Sequence, residues 1–192
     1  FVPAEGAAIV ILEEYEQALN RNAKIYAEII GEHINCGGQQ NGGSMTASNY
    51  EELKNCIKTS IYNSAIQPKQ IDYISGHLTG TKADPLEIKA WKDSLNLEND
   101  NFPYINSTKS LIGHSLGACG AIEIISCIIQ MQNNFIHSSI NCEDIHPEIK
   151  KIIDISKIPQ KNIENIKINY AISLNFGFGD VNASIVLKNL YE

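Results

Sequence analysis

The sequence predicts an α/β fold, a sheet covered by helices on both faces. Three observations carry this. Short apolar runs bounded by glycine alternate with stretches of helical period. The longest apolar stretch carries a histidine and a glutamate, so it reads as a buried helix. The chain closes on two strand-like runs around a glycine-rich turn, a hairpin signature.

Taken in order, Ala7 to Glu13 reads as a buried strand, because the run is short and bounded by Gly6 and by charge. A short helical segment follows over EEYEQALNRN, and Lys24 to His33 alternates in part, as a second strand would. NCGGQQNGGSMTAS carries four glycines and is a loop, the best candidate boundary in the chain. Asn49 to Ala65 has helical period through Leu53, Cys56, Ile57 and Ile61. QIDYISGH is a short strand ending in Gly76-His77. Asp84 followed by Pro85 predicts an N-cap and a proline at the first helical position, opening PLEIKAWKDSL. FPYINSTKS is strand and loop, Leu116 to Gln132 is the apolar helix, and FIHSSINCEDIHPEIK is irregular. KINYAISLNFGFGDVNASIVLKNL is the closing hairpin, expected to add antiparallel strands at one side of the sheet. No internal repeat is evident.

The 192 residues suffice for one domain with a real core, and 43% hydrophobic with 19% charged residues is a globular balance. A net charge of −7 without any Lys/Arg cluster argues against nucleic acid. Cys36, Cys56, Cys119, Cys127 and Cys142 are dispersed; none forms CxxC and none has a histidine at metal-ligand spacing, which argues against zinc. Their odd number fits a reducing cytoplasm better than a disulfide scaffold. AAIVIL is too short for a signal peptide or membrane span, and the run from Leu111 to Met131 contains His114 and Glu123. The chain opens without a methionine, directly on a strand-like run, and is expected to be a piece of a longer polypeptide.

Three motifs carry the candidate chemistry. In SGHLTGT, His77 sits at the carboxyl end of a strand, where ligands of α/β sheets bind, ahead of Thr79 and Thr81. A capped turn with an incidental histidine reads equally well. In NSTKSLIGHSLGACGAIE, Gly113 and Gly117 bracket His114, and Glu123 falls nine residues later inside an apolar helix. A buried carboxylate needs a partner, and Lys109 is the obvious one; a purely structural Lys–Glu pair is the alternative. In NFGFGD, Phe176 and Phe178 alternate with Gly177 and Gly179, placing bulky rings on a hinge-like backbone, or simply core aromatics on a turn.

In their order and spacing these stretches resemble the C-terminal portion of the β-ketoacyl-acyl-carrier-protein synthases, the elongating condensing enzymes of fatty-acid synthesis, which have the thiolase fold. GHLTGT with DPLE resembles the first active-site histidine loop of that family, NSTKSLIGHSLGACGAIE the second, and LNFGFGDVNAS its C-terminal gating loop. FVPAEGAAIVILEEYEQALNRNAKIYAEIIG resembles the segment ending the N-terminal half. The resemblance implies a mixed five-stranded sheet flanked by helices over residues 37–192, with residues 1–36 as the last strands of the preceding half.

What the resemblance implies chemically is a decarboxylative Claisen condensation, whose enolate oxygen needs hydrogen-bond donors. His77 and His114 would supply them. Lys109 would stand beside the second histidine with Glu123 as its buried partner, biasing the local proton inventory. Thr79 and Thr81 would hydrogen-bond the pantetheine arm, and Phe178 would be the aromatic gate on the hinge of Gly177 and Gly179, with Phe176 as packing. No metal or organic cofactor is implied. The partners are acyl-carrier protein, with phosphopantetheine-linked acyl and malonyl groups, and a missing N-terminal half that carries the nucleophilic cysteine; the family is dimeric. Cys119 aligns with a small family residue and reads as packing. Two departures stand out: Leu78 replaces a glycine in a loop one residue shorter, and Asp180 replaces a glycine at the gate, where it would stiffen the hinge and bring charge near the site. The competing class is a catalytically silent partner resembling a chain-length factor; a degradative thiolase fits the Thr108-Lys109-Ser110 stretch less well.

Overall fold

A computed structural model of the chain describes residues 1–190. The first helix, α1 (Tyr15–Asn20), is capped by Glu14, whose carboxylate accepts the Gln17 amide at 2.8 Å. Strand β1 spans Glu28–Cys36. Ala7 to Glu13, expected as a strand, forms none: Ile9, Ile11 and Leu12 are 87, 89 and 73% exposed. A strand exists only against a neighbour that takes its amides and carbonyls, and no described strand lies beside this run.

Helix α2 (Tyr50–Asn63) begins at Asn49, whose side chain accepts the Glu51 and Glu52 amides, with both glutamates at the positive end of the helix. It buries Leu53, Cys56, Ile57 and Ile61, the residues whose period announced it. A Cβ on Gly31 would lie 2.5 Å from the Ser60 carbonyl oxygen, so only glycine lets β1 pass this close to α2. Strand β2 is Tyr73–Ser75. Helix α3 (Asp84–Leu95) starts one residue earlier than expected, with Ala83 at its cap and Pro85 in the first turn. Asp84 is not the N-cap, because its carboxylate turns back to the preceding loop and accepts the Thr79 and Gly80 amides.

Strand β3 (Tyr104–Asn106) leads into the single turn α4 (Lys109–Ile112). The apolar helix α5 runs Cys119–Asn133; Leu116–Ala118 ahead of it is a 3-10 turn rather than α-helix, and Leu116 takes a positive φ of 50°. The segment expected to be irregular holds the two-residue strand β4 (Phe135–Ile136) and the start of helix α6 (Pro147–Ile152), and β5 (Ile163–Glu164) pairs with β4. Strands β6 (Tyr170–Gly177) and β7 (Val181–Lys188) form the closing hairpin, in register from Tyr170 opposite Lys188 to Gly177 opposite Val181.

The main sheet has the order β1-β7-β6-β2-β3. β2 runs parallel to both β3 and β6, while β7 is antiparallel to β6 and β1. Successive strand residues face opposite ways. Ile74, Ile172, Leu174 and Val186 therefore pack with α2, α3 and α6 around Trp91 and Ile88, whereas Tyr73, Ala171 and Leu187 pack with Ile124, Cys127 and Met131 of α5. Each buried Ile, Leu, Val or Met among them contributes about 1.5–3 kcal/mol. β1 pairs with β7, so the strand before the glycine loop and the closing hairpin lie in one sheet. Because β2, β3 and β6 are parallel, their carboxyl ends Ser75, Asn106 and Gly177 open on one side, which is where the three motifs converge.

Candidate active site

The loop after β2 is held by two carboxylates from the first turn of α3. Glu87 accepts the amides of His77 and Leu78, both at 2.8 Å, and the Trp91 indole N–H at 3.3 Å. Asp84 takes the Thr79 and Gly80 amides at 3.0 and 2.9 Å. Burial pushes the Glu87 carboxyl up to about 8, with Asp84 adding to the effect and the His77 and Leu78 amides opposing it. The Thr79 and Thr81 hydroxyls lie 3.1 Å apart, each the other's partner.

These constraints aim the His77 ring at His114. The ring centroids are 5.4 Å apart and nearly perpendicular, at 84°. Phe176 also lies against His77, with ring centroids 4.4 Å apart. Burial first, and then the Lys109 charge, pushes His77 down to about 3, so the ring is neutral near physiological pH. His114 is also shifted down, by burial and by Lys109. Its backbone bridges to the amino end of the chain: the His114 amide donates to the Val2 carbonyl at 2.8 Å, and the Ala4 amide to the His114 carbonyl at 3.0 Å. Its ring Nδ1 accepts the Leu116 amide at 3.2 Å and lies 3.0 Å from the Cys119 thiol.

Lys109 and Glu123 form a buried ion pair, with side chains 5% and 1% exposed. Burial pushes the Glu123 carboxyl up and the Lys109 ammonium opposes this. The second Glu123 oxygen accepts the Asn175 amide N–H at 2.7 Å, and Asn175 Oδ1 lies 3.2 Å from His77 Nδ1. One polar chain thus runs Lys109–Glu123–Asn175–His77.

The structure brings together His77, His114, Lys109, Glu123 and Phe176. Phe178 stands apart, 65% exposed on the turn that contains Gly179. Asp180 does not bring charge to the histidines: its carboxylate is buried and accepts the Gln39 and Asn49 amides at 3.1 and 2.7 Å. Cys119 does more than pack, given its contact with His114. Sequence reasoning passed over Asn175 and Glu87; the available signals were an amide in a central strand and a carboxylate three residues after Asp84 on the buried side of α3. All five cysteines are free. Among the described residues no group of three His, Cys, Asp or Glu converges as a metal site, and no helix is long and apolar enough to cross a membrane.

Residues 26–143 match the profile described as beta-ketoacyl synthase, C-terminal domain. The chain is 40% identical over 189 residues to 3-oxoacyl-[acyl-carrier-protein] synthase 1 of Haemophilus influenzae, covering 98% of this chain and 43% of that protein. It is 37% identical over 193 residues to 3-oxoacyl-[acyl-carrier-protein] synthase 2 of Coxiella burnetii, covering 100% and 45%. Among solved structures it resembles the ishigamide ketosynthase/chain length factor at 30% identity and a TM-score of 0.87, covering 98% of this chain and 44% of that one. The chain therefore spans less than half the length of these relatives. The mixed sheet, the convergent histidine loops and the match over residues 26–143 together place the chain in the β-ketoacyl synthase family, as its C-terminal domain.

Proposed function

We propose that this chain supplies the two-histidine half of a 3-oxoacyl-[acyl-carrier-protein] synthase site, acting in fatty-acid or polyketide-like synthesis. The observation that carries the reading is the meeting of two neutral imidazoles 5.4 Å apart where the parallel strands end. In the reaction, the bond from the malonyl methylene to its carboxylate breaks and carbon dioxide leaves. The electron pair becomes an enolate whose carbon attacks an acyl thioester, expelling the thiolate. The enolate oxygen gains charge and is stabilised by a hydrogen-bond donor aimed at it. His114 fits that role, because its Nδ1 already accepts the Leu116 amide and its proton is left on Nε2.

The acyl-accepting cysteine belongs in this reading to a companion N-terminal half, which would also cover the exposed apolar run before β1. Acyl-carrier protein, named in both relatives, is the proposed carrier of both substrates. Thr79 and Thr81 are the proposed contacts for its pantetheine arm, and Phe178 the proposed gate. A dimer in the cytoplasm completes the proposal. The structural relative is named ishigamide ketosynthase/chain length factor, and a silent partner of the latter kind is the second reading; it has no need of both imidazoles.

The test is malonyl decarboxylation by the full-length protein. His114→Ala is expected to lower carbon dioxide release by about 10²–10³-fold, with the far-UV circular dichroism unchanged. Near-normal release from that variant overturns the assignment.

A further inference from the structure

We infer that Asn175 is a positioning residue that holds His77 as its Nδ1–H tautomer, so that the two imidazoles offer the cleft one proton acceptor and one proton donor instead of two donors.

The two histidines differ in what meets Nδ1. At His114 the amide two residues on, Leu116 N–H, points at the ring and donates to Nδ1 at 3.2 Å. Nδ1 is then an acceptor, and in the neutral ring the proton resides on Nε2. At His77 the corresponding amide, Thr79 N–H, is taken by Asp84 at 3.0 Å. Asn175 stands there instead.

Which end of the Asn175 amide faces His77 is decided one step further away. Glu123 is paired with Lys109 through one oxygen, so its second oxygen is an acceptor and can meet only the NH2 of Asn175, at 2.7 Å. This turns Asn175 Oδ1 to His77 Nδ1, 3.2 Å away. An oxygen lone pair demands a proton on that nitrogen, and the His77 Nε2 is left bare. Neither Nε2 has a hydrogen-bond partner among the described residues. Because burial and Lys109 keep His77 neutral at ordinary pH, a tautomer and not a cation is what Asn175 selects.

The tautomer follows from these contacts alone, while its use rests on the condensing function proposed above. His114 alone would face the enolate oxygen. His77 would receive an N–H, O–H or S–H from the reacting partners.

The experiment is 15N NMR of the intact protein with histidine labelled at both ring nitrogens, the His77 signals being identified by their loss in His77→Gln. The expected spectrum has a proton-bearing, pyrrole-type Nδ1 and a pyridine-type Nε2 at His77, with the reverse at His114. In Asn175→Leu, His77 is expected to move to Nε2–H or to an exchange-averaged mixture while His114 stays unchanged. A wild-type His77 with its proton on Nε2 overturns the inference. So does a folded Asn175→Leu protein that keeps Nδ1–H. Should that variant fail to fold, the wild-type spectrum decides by itself. Normal decarboxylation in His114→Ala would remove the condensing function and leave the tautomer spectrum standing.

Discussion

Asp180 and Asn49, 131 residues apart in the chain, are joined by a buried hydrogen bond of 2.7 Å from the Asn49 amide to Asp180 Oδ1. The other carboxylate oxygen accepts the Gln39 amide, and the Asp180 carbonyl accepts that of Gly37 at 2.9 Å. The turn of the closing hairpin is thereby fastened to the glycine loop and to the cap of α2. A charge that looked like a disturbance near the gate is a fastener between two loops.

Removing that carboxylate leaves the buried Asn49 amide and the part-buried Gln39 amide without their acceptor. Asp180→Ala is expected to cost about 2–4 kcal/mol, read by urea denaturation. Asp180→Gly should cost about 1 kcal/mol less, since residue 180 has φ 68° and glycine accepts it without strain. Equal midpoints for Asp180→Ala and wild type would refute the fastening.

Gly37 and Gly43 give this carboxylate its room. A Cβ on either would come within 2.1 or 2.2 Å of Asp180 Oδ2. Gly43→Ala should therefore destabilise strongly in the wild-type background and much less in Asp180→Gly, a coupling of about 1–3 kcal/mol in a double-mutant cycle. Additive effects would mean that the clash is relieved by movement elsewhere.

The Lys109–Glu123 pair should show the asymmetry of buried ions. Either single change, Lys109→Met or Glu123→Gln, is expected to cost about 3–5 kcal/mol, and the double change less than the sum. Chemical denaturation of the four proteins measures this.

His77 makes stability depend on pH in a defined direction. Its folded-state value of about 3 lies below the ordinary 6.5, so between the two the unfolded chain binds the proton that the folded chain refuses. Stability should rise as pH climbs through that window, by a few kcal/mol at most, on the order of one per pH unit. His77→Gln should flatten this limb of the profile. A wild-type profile that is already flat there would count against the burial of a neutral ring.

Glu87 works in the opposite sense. Its folded value of about 8 lies above the usual 4.5, so its contribution is complete below 4.5 and is lost as pH rises to about 8. Glu87→Gln should remove that alkaline decline, while leaving one of the His77 or Leu78 amides without its carboxylate oxygen. Hydrogen exchange at residues 77 and 78 reports the loosened loop.

Much of the fold could be read from the chain because the signals are local. The period of Leu53, Cys56, Ile57 and Ile61, the proline in the first turn of α3 and the glycine-marked hairpin each act within a few residues. The histidine motifs were legible for the same reason, being short stretches with fixed spacing. Helices α2, α3 and α5, the closing hairpin and the two histidine loops with their Lys–Glu pair are thus legible along the chain, whereas α6 begins in a stretch expected to be irregular. Tertiary structure decided the rest. Ala7 to Glu13 has the composition of a strand yet lacks a neighbour, and pairing is a property of two segments. Asp84 serves the loop and not the helix cap because the Thr79 and Gly80 amides come within its reach. Asp180 was read as charge beside the histidines, but the glycine loop, more than a hundred residues earlier, claims it. Asn175 was passed over because its role depends on which atom of Glu123 and which atom of His77 stand on its two sides. Hydrogen-bond direction is set by partners brought together in space, and no spacing along the chain encodes it.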